Sequence, residues 1–174
     1  IEAISSEKDN LHPGNPMESS STHGPIARKV HRSFLEMQLK DAIDKGAKVL
    51  FQKSVPHDGF FEPTVLTEVT HDMSVMKEET FGPLVGIQKV RSDEEALELM
   101  NDTDYGLTNY IQTQDNEKVQ RVARKLRSGM VDVNGAGIAV DAPFGGYKHS
   151  GIGREAGKEG LIEFLEVKSV GGWS

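Results

Sequence analysis

From Leu84 to Asn134 the pattern of apolar and polar residues leaves few folds open. Leu84 to Val90 reads as a strand, and Ser92 with Glu95 forms a capping box opening a helix whose Ala96, Leu97 and Met100 face one way. Leu107 to Thr113 is strand-like again. Asp115 is placed to cap a second helix, with Val119, Val122, Ala123 and Leu126 on one stripe and Gly129 closing it before a strand over Met130 to Asn134. Strand, helix, strand, helix, strand at these lengths predicts right-handed βαβ crossovers. The fold class is therefore α/β, a mostly parallel sheet with flanking helices.

Either side of this core the signals are more varied. The first two dozen residues, rich in Ser, Pro, Gly, Asn and His, show no period and predict an irregular lead-in. From Pro25 the pattern turns helical, with Ile26, Val30, Phe34 and Met37 as the apolar stripe and Gly46 placed to end it. Ala47 to Phe51 and Thr64 to Val69 read as two further strands. Beyond residue 134 a glycine-rich loop containing Pro143 leads to a helix around Arg154 to Phe164 and a strand around Val167 to Gly171. A length of 174 residues predicts one compact unit.

Several functions are excluded by what the chain lacks. Its formal charge of −7 is spread over interspersed acids and bases without a basic stripe, which argues against nucleic acid as a partner. No run of eighteen apolar residues occurs, and Ile1-Glu2-Ala3-Ile4 has neither the basic nor the apolar region of a secretory signal, so a cytoplasmic protein without a membrane partner is expected. With no cysteine there is no disulfide, no thiolate metal site and no thiol nucleophile. The six histidines show no i, i+4 pairing, so no metal is expected. Gly151-Ile152-Gly153-Arg154-Glu155-Ala156-Gly157 has three residues instead of two between its last glycines and a loop before it, which rejects a dinucleotide fingerprint. No Gly-x-Ser-x-Gly elbow marks a hydrolase.

Two stretches stand out. Met76-Lys77-Glu78-Glu79-Thr80-Phe81-Gly82-Pro83 sets adjacent carboxylates, an aromatic and a Gly-Pro turn before a strand. On composition alone it reads as a solvated charge pair before an edge turn. Ala142-Pro143-Phe144-Gly145-Gly146-Tyr147-Lys148-His149-Ser150-Gly151-Ile152-Gly153-Arg154-Glu155 reads as a glycine-rich connection with aromatic packing.

Taken in order, these stretches resemble the C-terminal part of the catalytic domain of the aldehyde dehydrogenase superfamily. Glu78-Glu79-Thr80-Phe81-Gly82-Pro83 is similar to that family's Glu-Glu-x-Phe-Gly-Pro segment, and Asn101-Asp102-Thr103-Asp104-Tyr105-Gly106-Leu107 to its Asn-x-x-x-Tyr-Gly-Leu run. Val133-Asn134, the run from Pro143 to Gly157, Gly160-Leu161 and Lys168-Ser169-Val170 continue it. Gly24-Pro25, Gly46-Ala47-Lys48 and Phe61-Glu62-Pro63-Thr64-Val65-Leu66 extend it upstream.

The resemblance implies an oxidoreductase that converts an aldehyde to a carboxylic acid with NAD or NADP. A cysteine thiolate attacks the aldehyde, the thiohemiacetal gives hydride to the cofactor, and a glutamate activates the hydrolytic water. That cysteine, that glutamate, the oxyanion-stabilising Asn and the Rossmann domain all belong N-terminal to the matched region, so no catalytic residue is expected in this chain and the chain alone should be inactive. By the same resemblance Glu79 corresponds to the carboxylate that holds the nicotinamide ribose hydroxyls, and Phe81 to the ring beside that ribose. Phe144 corresponds to an aromatic near the aldehyde tunnel, and Gly135 to Ala142 to the substrate-contacting loop, with Gly135, Ala136, Gly137 and Ile138 as candidate contacts. Only small and aliphatic side chains run from Gly135 to Val140, so the wall they supply should suit uncharged aldehydes. Where many members place a Gln and a Lys that reach towards the cofactor, on the helix after Gly24-Pro25, this sequence has His31 and Phe34. Residues 1–150 would be the catalytic-domain part, and residues 151–174 a terminal helix and a strand, near Val167 to Trp173, that pairs subunits of a homo-oligomer. The rival reading is a truncated, non-catalytic chain acting only in subunit association.

Overall fold

The computed structural model describes residues 2–57 and 59–172. Two compact units emerge, Ile1–Lys89 and Val90–Ser174, where length had predicted one. Each has its own sheet and its own apolar cluster.

The first unit opens with a one-turn helix, α1 (Glu2–Ser6), and a 3-10 turn over Glu7–Asn10. Neither buries a residue, and a single turn is too short to leave the periodicity by which a helix is read from sequence. The rest of the lead-in is irregular, pinned by a bridge between Pro13 and His23. Helix α2 (Lys29–Asp44) is the main helix of this unit. Its buried face is Leu35, Gln38 and Ala42, spaced three and four apart, while Val30 and Met37 from the predicted stripe are exposed. The expected stripe was thus out of phase beyond Ile26, which does pack on the core.

That face covers a three-stranded sheet of β1 (Lys48–Gln52), β2 (Thr64–Thr67) and β3 (Leu84–Gly86). β1 pairs antiparallel with β2 through a bulge near Val49 and Phe51, and β2 pairs parallel with β3. Central β2 buries Thr64, Val65 and Leu66 in succession, as expected of a strand covered on both faces. Leu35, Leu66 and Met73 are fully buried, and each such burial contributes about 1.5–3 kcal/mol. A short helix, α3 (Ser74–Lys77), leads into β3. Asp41 on α2 fastens its start, accepting the Ser74 backbone N–H at 2.8 Å.

In the second unit α4 (Asp93–Asn101) is followed by β4 (Thr108–Ile111), α5 (Asn116–Ala123) and β5 (Met130–Val133). β4 and β5 are parallel, so the predicted strand–helix–strand crossover forms here. β3 belongs to the other sheet, which leaves two of the three strand pairings parallel and confirms an α/β fold built from two small sheets instead of one. The caps are as read: the Ser92 hydroxyl accepts from Glu95 N and the Asp115 carboxylate from Lys118 N. Glu95 reaches back to the backbone of Arg91 instead of Ser92, shifting the reciprocal bond by one residue. Leu97, Ile111, Val122 and Leu126 form the core, with Val119 and Ala123 against it. Asp93 joins α4 to α5 through Lys118 and Arg121.

The last helix, α6 (Gly157–Ile162), is shorter than expected. The segment predicted as a strand from Val167 to Gly171 pairs with no strand among the described residues, and Val167 is 97% exposed. Trp173, at the end of that segment, lies outside the described residues. Among the described residues no helix is long and apolar enough to cross a membrane.

Candidate functional site

In the first unit the segment from Glu78 to Pro83 links α3 to β3 and is fixed at both ends. Glu78 N donates to Ser74 O at 2.8 Å, and Pro83 O accepts from Thr64 N at 2.9 Å. Between these anchors Glu79 and Phe81 point outward, with Phe81 79% exposed. Glu79 makes no hydrogen bond or ion pair among the described residues, so both its oxygens are free to accept. Phe81 has φ +48°, a left-handed conformation that costs a non-glycine residue about 1–2 kcal/mol. The next residue packs on the core: a Cβ on Gly82 would lie 2.6 Å from a methyl of the fully buried Leu35, which would have to shift.

The helix beneath also holds this loop. His31 Nε2 lies 3.0 Å from Thr80 O and 3.0 Å from Phe81 O. Carbonyls only accept, so this nitrogen carries the proton and shares it between them. The His31 ring stacks on Phe34, with centroids 5.6 Å apart and planes 27° apart. An exposed, unpaired carboxylate two residues from an exposed aromatic ring, on backbone tied down at three points, is a suitable acceptor for the hydroxyls of a ribose diol.

In the second unit, Asn134 ends β5 with φ +56° and pins the loop start, its side chain donating to Thr113 O and accepting from Thr113 N, both at 2.9 Å. Gly135 and Gly137 also have positive φ, and the Gly137 N–H approaches the Asp132 carboxylate at 3.3 Å. Ile138 and Val140 face solvent. Phe144 is placed by a two-way backbone bridge to Glu155, at 2.8 and 2.7 Å. It lines an open cavity of about 390 Å³ together with Leu107, Gly146, Ser150, Arg154, Glu155 and Glu163. Of the five candidate substrate contacts Phe144 lines this cavity, and Gly135, Ala136, Gly137 and Ile138 do not.

The remaining motif residues hold backbone. Asn101 donates to Lys125 O and accepts from Arg127 N, joining the ends of α4 and α5. Lys148 Nζ donates to Asn101 O and Thr103 O at 2.8 and 2.7 Å. Arg154 donates to Gly146 O and Gly153 O, with its guanidinium 5.2 Å over the Tyr147 ring. Gly129 N donates to Gly106 O, and a Cβ on Gly129 would overlap the carbonyl of Gly145. These roles, and that of His31, were not readable from spacing. Asn and Lys that satisfy carbonyls from afar look in sequence like any surface polar residue.

The family model described as "Aldehyde dehydrogenase family" matches residues 1–170. Mitochondrial succinate-semialdehyde dehydrogenase of Hylobates lar is 44% identical over 166 residues, covering 94% of this chain and 31% of that protein. Among solved structures, an aldehyde dehydrogenase from Brucella melitensis biovar abortus 2308 superposes with a TM-score of 0.89 at 39% identity, over 95% of this chain and 34% of that one. A betaine aldehyde dehydrogenase from Staphylococcus aureus in complex with NAD+ gives 0.86 at 36% identity, over 99% of this chain and 38% of that one. The chain thus spans about a third of the length of the relatives it matches.

Proposed function

The chain belongs to the aldehyde dehydrogenase family, and from that membership we propose that it forms the cofactor-clasping and substrate-facing part of an enzyme that oxidises an aldehyde to a carboxylic acid with NAD or NADP. The observation that carries this reading is the loop of Glu79 and Phe81. It offers a free carboxylate and, two residues on, an exposed ring on anchored backbone, where the family resemblance puts the nicotinamide ribose.

The bound cofactor supplies the hydride acceptor. Glu79 would hold the cofactor's ribose hydroxyls through its carboxylate oxygens, and Phe81 would pack beside that sugar. Together they would orient the cofactor for hydride transfer. The nucleophile is a cysteine supplied from outside these 174 residues, which contain none.

On the substrate side the segment from Gly135 to Ala142 contains no cation. The nearby cations Lys148 and Arg154 already donate to backbone carbonyls, and Glu155 and Glu163 line the cavity beside Phe144. This favours uncharged aldehydes. A substrate bearing a carboxylate, such as succinate semialdehyde, would need a cation from elsewhere in the protein.

Further proposals follow for location and assembly. The enzyme works in the cytoplasm as a homo-oligomer, with the exposed extended segment around Val167 to Val170 pairing between subunits; its unsatisfied backbone and apolar side chains support this. The test of function is aldehyde-dependent formation of NADH or NADPH, followed by absorbance, for the parent protein and for residues 1–174 alone. Turnover by the parent with none from the isolated chain is expected. Turnover by the isolated chain would overturn the assignment of the nucleophile.

A further inference from the structure

We propose that His31 is a positioning residue for the cofactor loop: from α2 it holds the backbone of Thr80 and Phe81 and so fixes where Glu79 and Phe81 meet the ribose. The inference rests on the cofactor reading above and adds a residue to it.

Three consecutive loop positions are gripped by one helix face. His31 Nε2 reaches Thr80 O and Phe81 O at 3.0 Å each, and Leu35, one turn further along α2, packs its methyls against Gly82 so closely that a Cβ there would force them to shift. Phe34, between them on the same face, stacks on the imidazole at 5.6 Å and fixes the plane in which its N–H points. The loop needs such a grip. Left-handed backbone at Phe81 is stable only when the surroundings over-determine it, and turning both carbonyls towards one donor does so. Without that donor, Phe81 would relax towards ordinary φ and carry the Glu79 carboxylate with it.

The neutral Nε2–H tautomer and the imidazolium both donate from this nitrogen, so the grip requires a donor and not a charge. That separates two substitutions. His31→Phe keeps a flat ring against Phe34 and removes the donor; His31→Gln restores an N–H of similar reach. His31 is half-buried, so neither empties the core.

The experiment uses the full-length parent enzyme with two readouts, hydrogen–deuterium exchange across residues 79–84 without cofactor and NADH binding by fluorescence titration. His31→Phe is expected to speed exchange in that segment but not in β2, and to weaken NADH binding by about two- to tenfold, the loss of one shared hydrogen bond. The KM for aldehyde should stay unchanged, and His31→Gln should restore both readouts. Unchanged exchange in His31→Phe would overturn the proposal outright. Faster exchange with unchanged binding would also overturn it, and a Glu79→Gln control locates the fault. If that control binds NADH weakly, His31 holds the loop without positioning it for the cofactor; if it binds normally, the cofactor reading itself fails.

Discussion

Replacing Gln38 by methionine should make the protein more stable, although Gln38 lies in the middle of the largest core cluster. The side chain is fully buried on α2 between Leu35 and Ala42, and neither its amide nitrogen nor its amide oxygen has a hydrogen-bond partner among the described residues. With no exposed surface, no other part of a longer protein can reach it without repacking α2. Leaving a buried amide unsatisfied costs about 1–3 kcal/mol. Methionine has similar length and a flexible thioether, and such a volume-conserving swap costs less than about 1.5 kcal/mol in packing. The net expectation is a gain of about 1 kcal/mol, read as a rise in Tm. Calorimetry of the parent protein should be run beside Leu35→Ala, which empties the same face and should cost about 2–5 kcal/mol. If Gln38→Met lowers Tm as Leu35→Ala does, the amide is hydrogen-bonded in the native core and the reasoning is refuted.

Gly129→Ala should destabilise the protein by about 1–3 kcal/mol or more, because its Cβ meets backbone of Gly145 and Gly146 that cannot swing aside; an unchanged denaturant midpoint would count against this close approach. The Asp41 carboxyl is held below its ordinary value of 3.8 by the Ser74 backbone N–H and by Lys45, so its contribution is complete above pH 3.8 and is lost as pH falls through the lowered value. Asp41→Asn should therefore flatten the acid limb of stability below pH 3.8, measured as urea midpoint against pH. On a panel of aldehydes, uncharged substrates should give the higher kcat/KM; a strong preference for an anionic semialdehyde that is abolished by substituting Arg154 or Lys148 would contradict the apolar wall.

What the sequence revealed depended on whether each residue's chemistry matched its surroundings. The starts of α4 and α5 were legible because Ser92 and Asp115 cap as the rule puts them, and Val119, Val122 and Leu126 do face the core, but α5 ends at Ala123, short of the Gly129 read as its close. The face of α2 was misread because its buried side includes a glutamine, so a search for apolar periodicity settled on Val30 and Met37, which are exposed. Strand pairing was the other gap. Order along the chain gives strands and helices but not which strand joins which sheet, and β3 joins β2 and not β4. At the candidate site, Glu79, Phe81 and Phe144 came from motif resemblance alone, since a charge pair before a Gly-Pro turn has a bland explanation. His31 is paired only with carbonyls 49 and 50 residues away, a link that no local pattern carries.

The most direct measurement is single-turnover hydride transfer in the parent enzyme carrying Glu79→Gln, with the cofactor KM determined alongside. Removing the charged acceptor takes away about 1.5–3 kcal/mol, so cofactor KM, the hydride-transfer rate or both should worsen by a combined factor of roughly ten to a hundred. A rate and a cofactor KM equal to those of the unsubstituted enzyme would remove Glu79 from the site and, with it, the central claim that this chain clasps the ribose.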